Sequence, residues 1–178
     1  RLAERLPARL VELGLGANGY GRIVSVGSVE GGDATLTFGL ESERYDGPWT
    51  DVAEAVRKNN LALKLSAPVG PGRGHLLLLA YDNQWNSPDQ IPQRAIDAGL
   101  IDALGSIDDQ LGGDSTRESL SGGWAGPLAG GEFTTSAYVI DYTLDLWSNF
   151  TYELDDPLRG DQFQQFDRRR VQGAAATQ

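Results

Sequence analysis

Apolar and polar residues alternate without a break over residues 131–147. Tyr138, Ile140, Tyr142, Leu144 and Leu146 occupy one set of positions, while Asp141, Thr143 and Asp145 occupy the other. Because successive side chains of a strand point to opposite faces, the pattern predicts a strand with one apolar and one polar face. A tilted membrane-spanning strand needs about nine to eleven residues, whereas soluble strands average about five or six. The length favours an apolar face in lipid and carboxylates that line a lumen.

The same alternation predicts seven further strands. The third is the clearest, since Leu36, Phe38 and Leu40 lie opposite Thr35 and Thr37. The predicted strands cover residues 8–16, 20–30, 34–45, 60–66, 75–85, 117–125 and a segment within 161–171. Residues 51–58 after Thr50 and residues 92–98 after Pro92 are predicted as short helices. The chain is therefore expected to be all-β, with about eight strands.

The joins between these strands differ in length in an ordered way. Those after the third, fifth and seventh strands are about 14, 31 and 14 residues long, and those after the fourth and sixth are about eight and five. Outer-membrane barrels have this alternation of long outer loops and short inner turns. The join after the first strand, about three residues on the long-loop side, departs from the pattern.

Composition excludes several classes of protein. The chain has 178 residues, 22% charged and 40% hydrophobic, which is typical of a folded domain and not of a disordered chain. It has no cysteine, so it has neither a disulfide frame nor a thiol metal site. A net charge of -10 argues against nucleic-acid binding, which needs a surplus of Lys and Arg on one surface. Met is also absent, so Arg1 is not an ordinary translation start, and we expect a processed chain or a fragment.

Several segments together resemble the barrel of TonB-dependent outer-membrane receptors. They are Asn18, Gly19 and Tyr20, YDGPWTD at 45–51, WNSPDQIPQRA at 85–95 with GLID at 99–102, SLSGGW at 119–124, DLWSNFTY at 145–152 and GDQFQQFDRRR at 160–170. The resemblance covers about residues 10 to 173 of the chain. Their combination is more specific than any one segment.

The resemblance implies a bacterial outer-membrane protein in which a 22-stranded barrel surrounds an N-terminal plug. Its partners would be outer-membrane lipid, a small-molecule ligand such as an iron-siderophore complex, and the TonB energy-transducing complex. The chain shows neither a plug nor the N-terminal box that contacts TonB. We therefore expect an antiparallel transmembrane β-barrel segment with long extracellular loops, although eight strands can also close into a small barrel.

The candidate ligand contacts are aromatic, amide and charged residues of the predicted long loops. They are Trp85, Asp89, Gln90, Arg94, Trp147, Asn149, Phe150 and Tyr152. Aromatic faces combined with amides suit iron chelates or glycans. The same loops would serve a soluble β-sandwich that binds carbohydrate or another ligand, and this is the alternative hypothesis.

Other motifs favour structural explanations. Gly14, Gly16 and Gly19 match a nucleotide-binding fingerprint, but a strand follows them where that fingerprint needs a helix, so a hairpin turn is predicted. His75 is the single histidine, and no catalytic residues, cofactor or metal site are expected.

The acidic groups at 108–114 and 155–161 are interpreted as solvated loop residues, and the tripeptide at 159–161 as a polar turn. The glycosylation sequon at 149–151 has no role in an outer membrane. The run at 168–170 could bind an anionic ligand or a lipopolysaccharide phosphate, but it is expected to pair with Asp141 or Asp145 on the neighbouring strand.

Overall fold

A computed structural model describes residues 3–87, 90–158 and 160–178 as one antiparallel sheet with a single short helix. Its elements are β1 (Leu10–Leu15), β2 (Gly21–Gly31), β3 (Ala34–Tyr45), β4 (Val56–Val69), β5 (Gly72–Asn86), α1 (Gln93–Asp97), β6 (Gly112–Leu128), β7 (Gly131–Ser148) and β8 (Phe163–Thr177). Each strand pairs with the next in the chain, in the order β1 to β8. In the described part of the chain β1 and β8 do not pair, so the sheet is open and is not closed into a barrel. The expectation of eight antiparallel strands is confirmed.

Tight two-residue turns join the strands at one end of the sheet, which we call the turn end. They lie at 32–33, 70–71 and 129–130. Ala129 and Gly130 both have positive φ, 52° and 84°, as a type I′ hairpin turn requires. Because the turn needs only residues 129–130, β6 continues through Gly126 and Pro127. The sequence predicted a five-residue reversal there.

The longer joins, at 16–20, 46–55, 87–111 and 149–162, all lie at the opposite end, which we call the loop end. The first of them also exceeds a two-residue turn, so the alternation of short and long joins holds along the whole chain. The join predicted from the sequence was too short, because the predicted β1 and β2 each extended slightly too far toward the loop end.

The helix predicted over 51–58 is wrong. Residues 56–69 form β4, and Val56 is the cross-strand partner of Tyr45. Ala55 turns the chain with a φ of 47°, and the Glu54 backbone N–H donates to the Asp46 carbonyl. Pairing along the full length of β3 outweighs the weak local preference for a helix start. The helix predicted at Pro92 is confirmed as α1, with Pro92 at its N-cap.

An unbroken register runs through every pair of neighbouring strands and defines two faces. In one row the successive partners are Phe38, Leu63, Leu78, Leu120 and Val139. We call the side with this row the leucine face. The opposite side has the row Glu41, Asn60, Tyr81, Arg117 and Tyr142, and we call it the network face.

The register reverses the expected orientation of β7. Val139 belongs to the leucine row, so Asp141, Thr143 and Asp145 also lie on the leucine face, nearer the loop end. Tyr138, Ile140, Tyr142, Leu144 and Leu146 lie on the network face. The sequence predicted lipid around the Tyr138 set and a lumen beside the carboxylates, but the register places the Tyr138 set on the face opposite the leucines of β3 and β4. A strand's own alternation shows that two faces differ but not which one joins a given face of its neighbours.

The sheet is a single layer without a second layer packed over either face in the described residues. The buried apolar residues described are Ala95, Leu111 and Tyr152, all at the loop end. Among the described residues, no helix is both long and apolar enough to cross a membrane.

Candidate functional site

The leucine face exposes a broad apolar surface. Leu36, Leu65 and Leu76 are successive cross-strand partners, and their side chains are 39%, 44% and 55% exposed. Other exposed members of this face are Val11, Leu13, Leu15, Ile23, Val29, Leu40, Val69, Leu78, Leu120 and Leu128. Soluble monomers rarely expose a contiguous apolar patch larger than a few hundred Å². This face therefore needs a cover, either lipid or another apolar surface.

The apolar positions shift along the strands from one edge of the sheet to the other. On β1 they are Val11, Leu13 and Leu15, next to the loop end, whereas on β8 Ala174 and Ala176 lie near the turn end and the exposed Phe166 lies apart from them, near the loop end. The apolar surface is thus a diagonal band. A horizontal lipid layer would cover such a band if the strands were tilted, as they are by about 35–45° in transmembrane barrels.

Within this band, strands β4 to β8 form a groove of about 1110 Å³. Small residues such as Gly74, Gly122 and Ala137 line it, with Leu76 and Trp124 among its larger side chains. The Trp124 indole N–H donates to the Val69 carbonyl at 2.8 Å, so the ring lies at the turn end. Tryptophan at the margin of an apolar band is common at membrane–water interfaces.

The network face carries connected charges on β1 to β4. The Arg22 guanidinium lies 2.6 Å from a Glu41 oxygen, 3.2 Å from Glu12 and 3.6 Å from Glu43. Lys58 lies 2.9 Å from Glu43, and the Asn60 amide donates to Glu41 at 2.8 Å. This network was not predicted from the sequence, although the opposite charges at Arg22 and at Glu41 and Glu43 on adjacent predicted strands were a usable signal.

A second groove, of about 480 Å³, lies next to this network on strands β2 to β6. Val26, Gly39, Ala62 and Leu79 are among its apolar lining residues. Its polar lining residues are Arg22, Glu41, Asn60, Tyr81 and Arg117. It combines an apolar floor with a few polar groups, which is typical of small-molecule sites.

Guanidinium groups and aromatic rings alternate along one row of the network face. Tyr81, Arg117, Tyr142 and Arg169 are successive cross-strand partners. Arg169 lies 5.0 Å from the centre of the Tyr142 ring in a cation–π contact, and it also pairs with Asp167 at 2.6 Å. This row places cationic and aromatic groups beside each other toward the loop end.

Hydrogen bonds join the four long loops into a continuous cap. The Asp46 N–H donates to the Asn18 carbonyl at 2.9 Å, and the Thr50 N–H donates to the Leu104 carbonyl at 3.1 Å. The Asn149 amide donates to the Asp108 carboxylate at 3.1 Å. These contacts connect 16–20 to 46–55, 46–55 to 87–111, and 87–111 to 149–162. The loops therefore support one another.

Asp161 organises the last loop. Its carboxylate accepts backbone N–H bonds from Leu154, Asp155 and Asp156 at 2.9, 3.0 and 2.7 Å. These bonds, the one from Asp155 foremost, hold the pKa of Asp161 below its ordinary value. The carboxylate thus closes a turn. This agrees with the interpretation of these acids as loop residues.

The predicted ligand residues fall into two groups. Asn149 and Tyr152 are buried and anchor the loops, because the Asn149 side-chain oxygen accepts the Tyr152 N–H at 2.7 Å and the Tyr152 hydroxyl donates to the Gln90 carbonyl at 2.6 Å. Gln90, Arg94 and Phe150 are exposed, and Phe150 also packs edge-on against Phe163, with ring centres 5.5 Å apart.

The remaining predicted contacts lie on strands or outside the described residues. Trp85 lies on the network face and Trp147 on the leucine face, so these two indoles do not converge. Asp89 lies outside the described residues, as does Arg159 of the 159–161 tripeptide. For the exposed side chains, ligand contact remains a prediction.

Two structural readings of local motifs are confirmed. Arg168 pairs with Asp145 at 2.5 Å and Arg170 with Asp141 at 2.8 Å, so this part of the basic run forms ion pairs across β7 and β8. Gly16 lies in the hairpin between β1 and β2, where its N–H donates to the Tyr20 carbonyl, and no helix follows in the described chain.

Comparison of the chain with protein families, with characterised proteins and with solved structures finds no match in any of the three.

Proposed function

We propose that this chain is part of the barrel wall of a TonB-dependent receptor in the bacterial outer membrane. The apolar band of the leucine face would contact lipid and the network face would line the lumen. The loops would face the exterior, and the open edges of β1 and β8 would pair with further strands. The receptor would take up a scarce ligand, such as an iron-siderophore complex, with energy from the TonB complex.

The exposed apolar band on the leucine face is the observation that supports this proposal most strongly. Each further CH₂ group that lipid covers contributes about 0.8 kcal/mol, so the exposed leucines make contact with water costly. The opposite face satisfies its charges through ion pairs such as Arg22–Glu41, as the wall of a wet lumen would. The diagonal course of the band adds to the argument, because it suits tilted strands.

The sorting of joins supports the same orientation. Outer-membrane barrels have short periplasmic turns and long extracellular loops, and this sheet has two-residue turns at one end and its long loops at the other. Ligand capture would then fall to exposed loop side chains such as Gln90, Arg94 and Phe150.

A soluble β-sandwich is the alternative. A sandwich needs a second sheet to cover the leucine face, and the eight described strands form one sheet. It would therefore need a cover from outside the described strands. The two hypotheses predict different surroundings for the leucine face.

Spin labels on neighbouring residues of β4 can test the proposal. The chain has no cysteine, so Leu63→Cys and Ala62→Cys each give one labelling site, on the leucine and network faces respectively. With the protein in lipid vesicles, we expect the label at 63 to collide mainly with oxygen, which concentrates in lipid. The label at 62 should collide mainly with a water-soluble nickel chelate.

A second pair on β6, Leu120→Cys and Ser121→Cys, should repeat this contrast. In a sandwich the second sheet would bury the leucine face, so labels at 63 and 120 that neither oxygen nor the nickel chelate reaches, in a chain that stays soluble without detergent, would instead support the sandwich. Equal access of the nickel chelate to both members of each pair would contradict the barrel-wall proposal.

A further inference from the structure

The network-face groove contains one cationic side chain that the described residues leave without an ion-pair partner. Arg22 and Glu41 offset each other, since their side chains lie 2.6 Å apart. Arg117, in the same groove, forms no ion pair with any described residue.

The surroundings of Arg117 favour an aromatic anion. Tyr81 and Tyr142 are its direct cross-strand neighbours on either side, so the guanidinium lies between two phenol-bearing positions. Side chains in directly opposite positions have Cβ atoms about 4.5–5.5 Å apart, which is within contact range for these long groups. An aryl ring could pack against Tyr81 while its charged group meets Arg117.

The nearest acids of this face do not cancel this charge. Asp167, two strands away on β8, already pairs with Arg169 at 2.6 Å. Glu41 is three strands away from Arg117, at about 14 Å from one strand axis to the other. Exposed charges farther apart than about 8–10 Å are largely screened at ordinary ionic strength. A carboxylate at the Arg117 side would therefore be attracted with little repulsion from Glu41.

The floor provides room for an apolar body. Gly39, Ala62 and Leu79 are successive cross-strand partners in the row beside that of Arg117, and two of the three are small. The volume of about 480 Å³ falls within the 300–1,000 Å³ of typical ligand pockets. The groove on the leucine face is larger, but it lies in the band that we assign to lipid.

We propose that the network-face groove binds a small aryl carboxylate, with the carboxylate on Arg117 and the ring over Ala62 and Leu79. This inference deepens the proposed function, because it assigns a class of ligand to the lumen side of the wall, and it depends on that face being open to water. The contact joins an anion to a guanidinium and does not need a metal or a covalent step.

Binding of 2-naphthoate to the purified full chain in detergent micelles tests this site. Titration calorimetry, corrected with empty micelles, should show saturable binding, whereas the neutral 2-naphthalenemethanol should bind more weakly. Arg117→Gln should raise the dissociation constant about tenfold or more, as expected when a charge-assisted hydrogen bond is lost. Ala62→Leu should weaken binding independently by filling the floor.

Arg57→Gln is the matched control, because Arg57 is an exposed cation on the leucine face. It should leave the affinity within about twofold, the size of effect expected of a surface change remote from the site. An absence of naphthoate binding, an Arg117→Gln affinity equal to that of the wild type, or an equal loss in Arg57→Gln would overturn the assignment. If Arg117→Gln does not fold, as judged by circular dichroism, Ala62→Leu and the neutral analogue decide the matter.

Failure of this site can be distinguished from failure of the proposed function. The spin-label contrast between positions 62 and 63 reports the surroundings of the two faces without any ligand. If that contrast holds and naphthoate does not bind, the barrel-wall proposal stands and the ligand site is wrong.

Discussion

Individual glycines allow the close approach of β5 and β6 at the turn end. A Cβ added to Gly126 would lie 2.5 Å from the Gly72 Cα, a contact that only a backbone shift could relieve. A Cβ added to Gly39 would meet Val26 and Ala62 at 3.6 and 3.8 Å, which are ordinary contacts. The two glycines differ in what surrounds them and not in their type of secondary structure.

We therefore expect Gly126→Ala to lower the free energy of unfolding by about 1–3 kcal/mol, as overpacking does. Urea unfolding in detergent micelles, followed by tryptophan fluorescence, measures this. Gly39→Ala is the control and should be neutral or slightly stabilising, since alanine restricts the unfolded chain. Equal destabilisation by both changes would contradict the role given to the Gly72–Gly126 approach.

Asp161 makes the last loop sensitive to acid. Its folded-state pKa is lowered, so its contribution is present above the unfolded value of about 3.9 and is lost as the pH falls through the folded-state pKa. We expect the protection of the amides in 149–162 from exchange, relative to an unstructured peptide at the same pH, to fall below about pH 4. Asp161→Asn should show fast exchange already at pH 7.

Asp155→Asn is a suitable control for this loop, because the Asp155 side chain accepts no hydrogen bond from the described residues, while its backbone N–H binds Asp161. Slow exchange in this loop at pH 7 in Asp161→Asn would contradict its role as the organising carboxylate.

At the scale of elements, the charges of the network face connect β1 to β4. Glu41 accepts from both Arg22 and Asn60, so its loss leaves two donors without that partner. The pair is partly exposed, with side chains 32% and 20% accessible, so solvent reduces its contribution. The network therefore stabilises the pairing of these strands moderately.

We expect Glu41→Ala to cost about 1–2 kcal/mol in the same urea experiment, below the full value of two charge-assisted bonds. Glu132→Ala is the matched control on β7, since Glu132 is exposed on the same network face and has no ion pair among the described residues. It should change stability by less than about 0.5 kcal/mol. If Glu41→Ala lowers the free energy of unfolding no more than this control does, the network does not stabilise the sheet.

At the scale of the whole molecule, the arrangement of joins predicts a sidedness in the cell. All long joins lie at one end of the sheet and all two-residue turns at the other. An epitope inserted within 93–97, in α1, should bind antibody on intact bacteria that produce the protein containing this chain. An epitope inserted at 70–71 should bind only after the outer membrane is permeabilised.

The insertion at 70–71 is also the control for leakage, because an intact membrane should hide it. Labelling of both sites on intact cells, with the membrane shown to be sealed, would contradict the transmembrane orientation.

Much of this architecture could be read from the chain because local chemistry decides it. Alternation of apolar and polar residues predicted β3 with its observed bounds and β7 to within one residue, and the Pro92 signal predicted α1. Strand ends were less predictable, since β4 and β6 each extend well beyond the predicted limits. Neighbouring strands provide those extra backbone hydrogen bonds, and a single-sequence pattern does not contain them.

The candidate site could be predicted only in part. Exposed loop residues such as Phe150 were recognisable from residue type, but the anchoring roles of Asn149 and Tyr152 depend on partners in the distant loop 87–111. The groove beside Arg117 brings together residues from five strands. No spacing along the chain reveals such a set.

By itself, the sequence determined that the chain forms long two-faced strands with short turns at one end and long loops at the other. Side-chain alternation and residues that tolerate positive φ act locally, so they are readable along the chain. Only the tertiary structure decided which faces belong together. Because strands have a period of two, the cross-strand register alone placed Val139 with the leucines and Tyr142 beside Arg117.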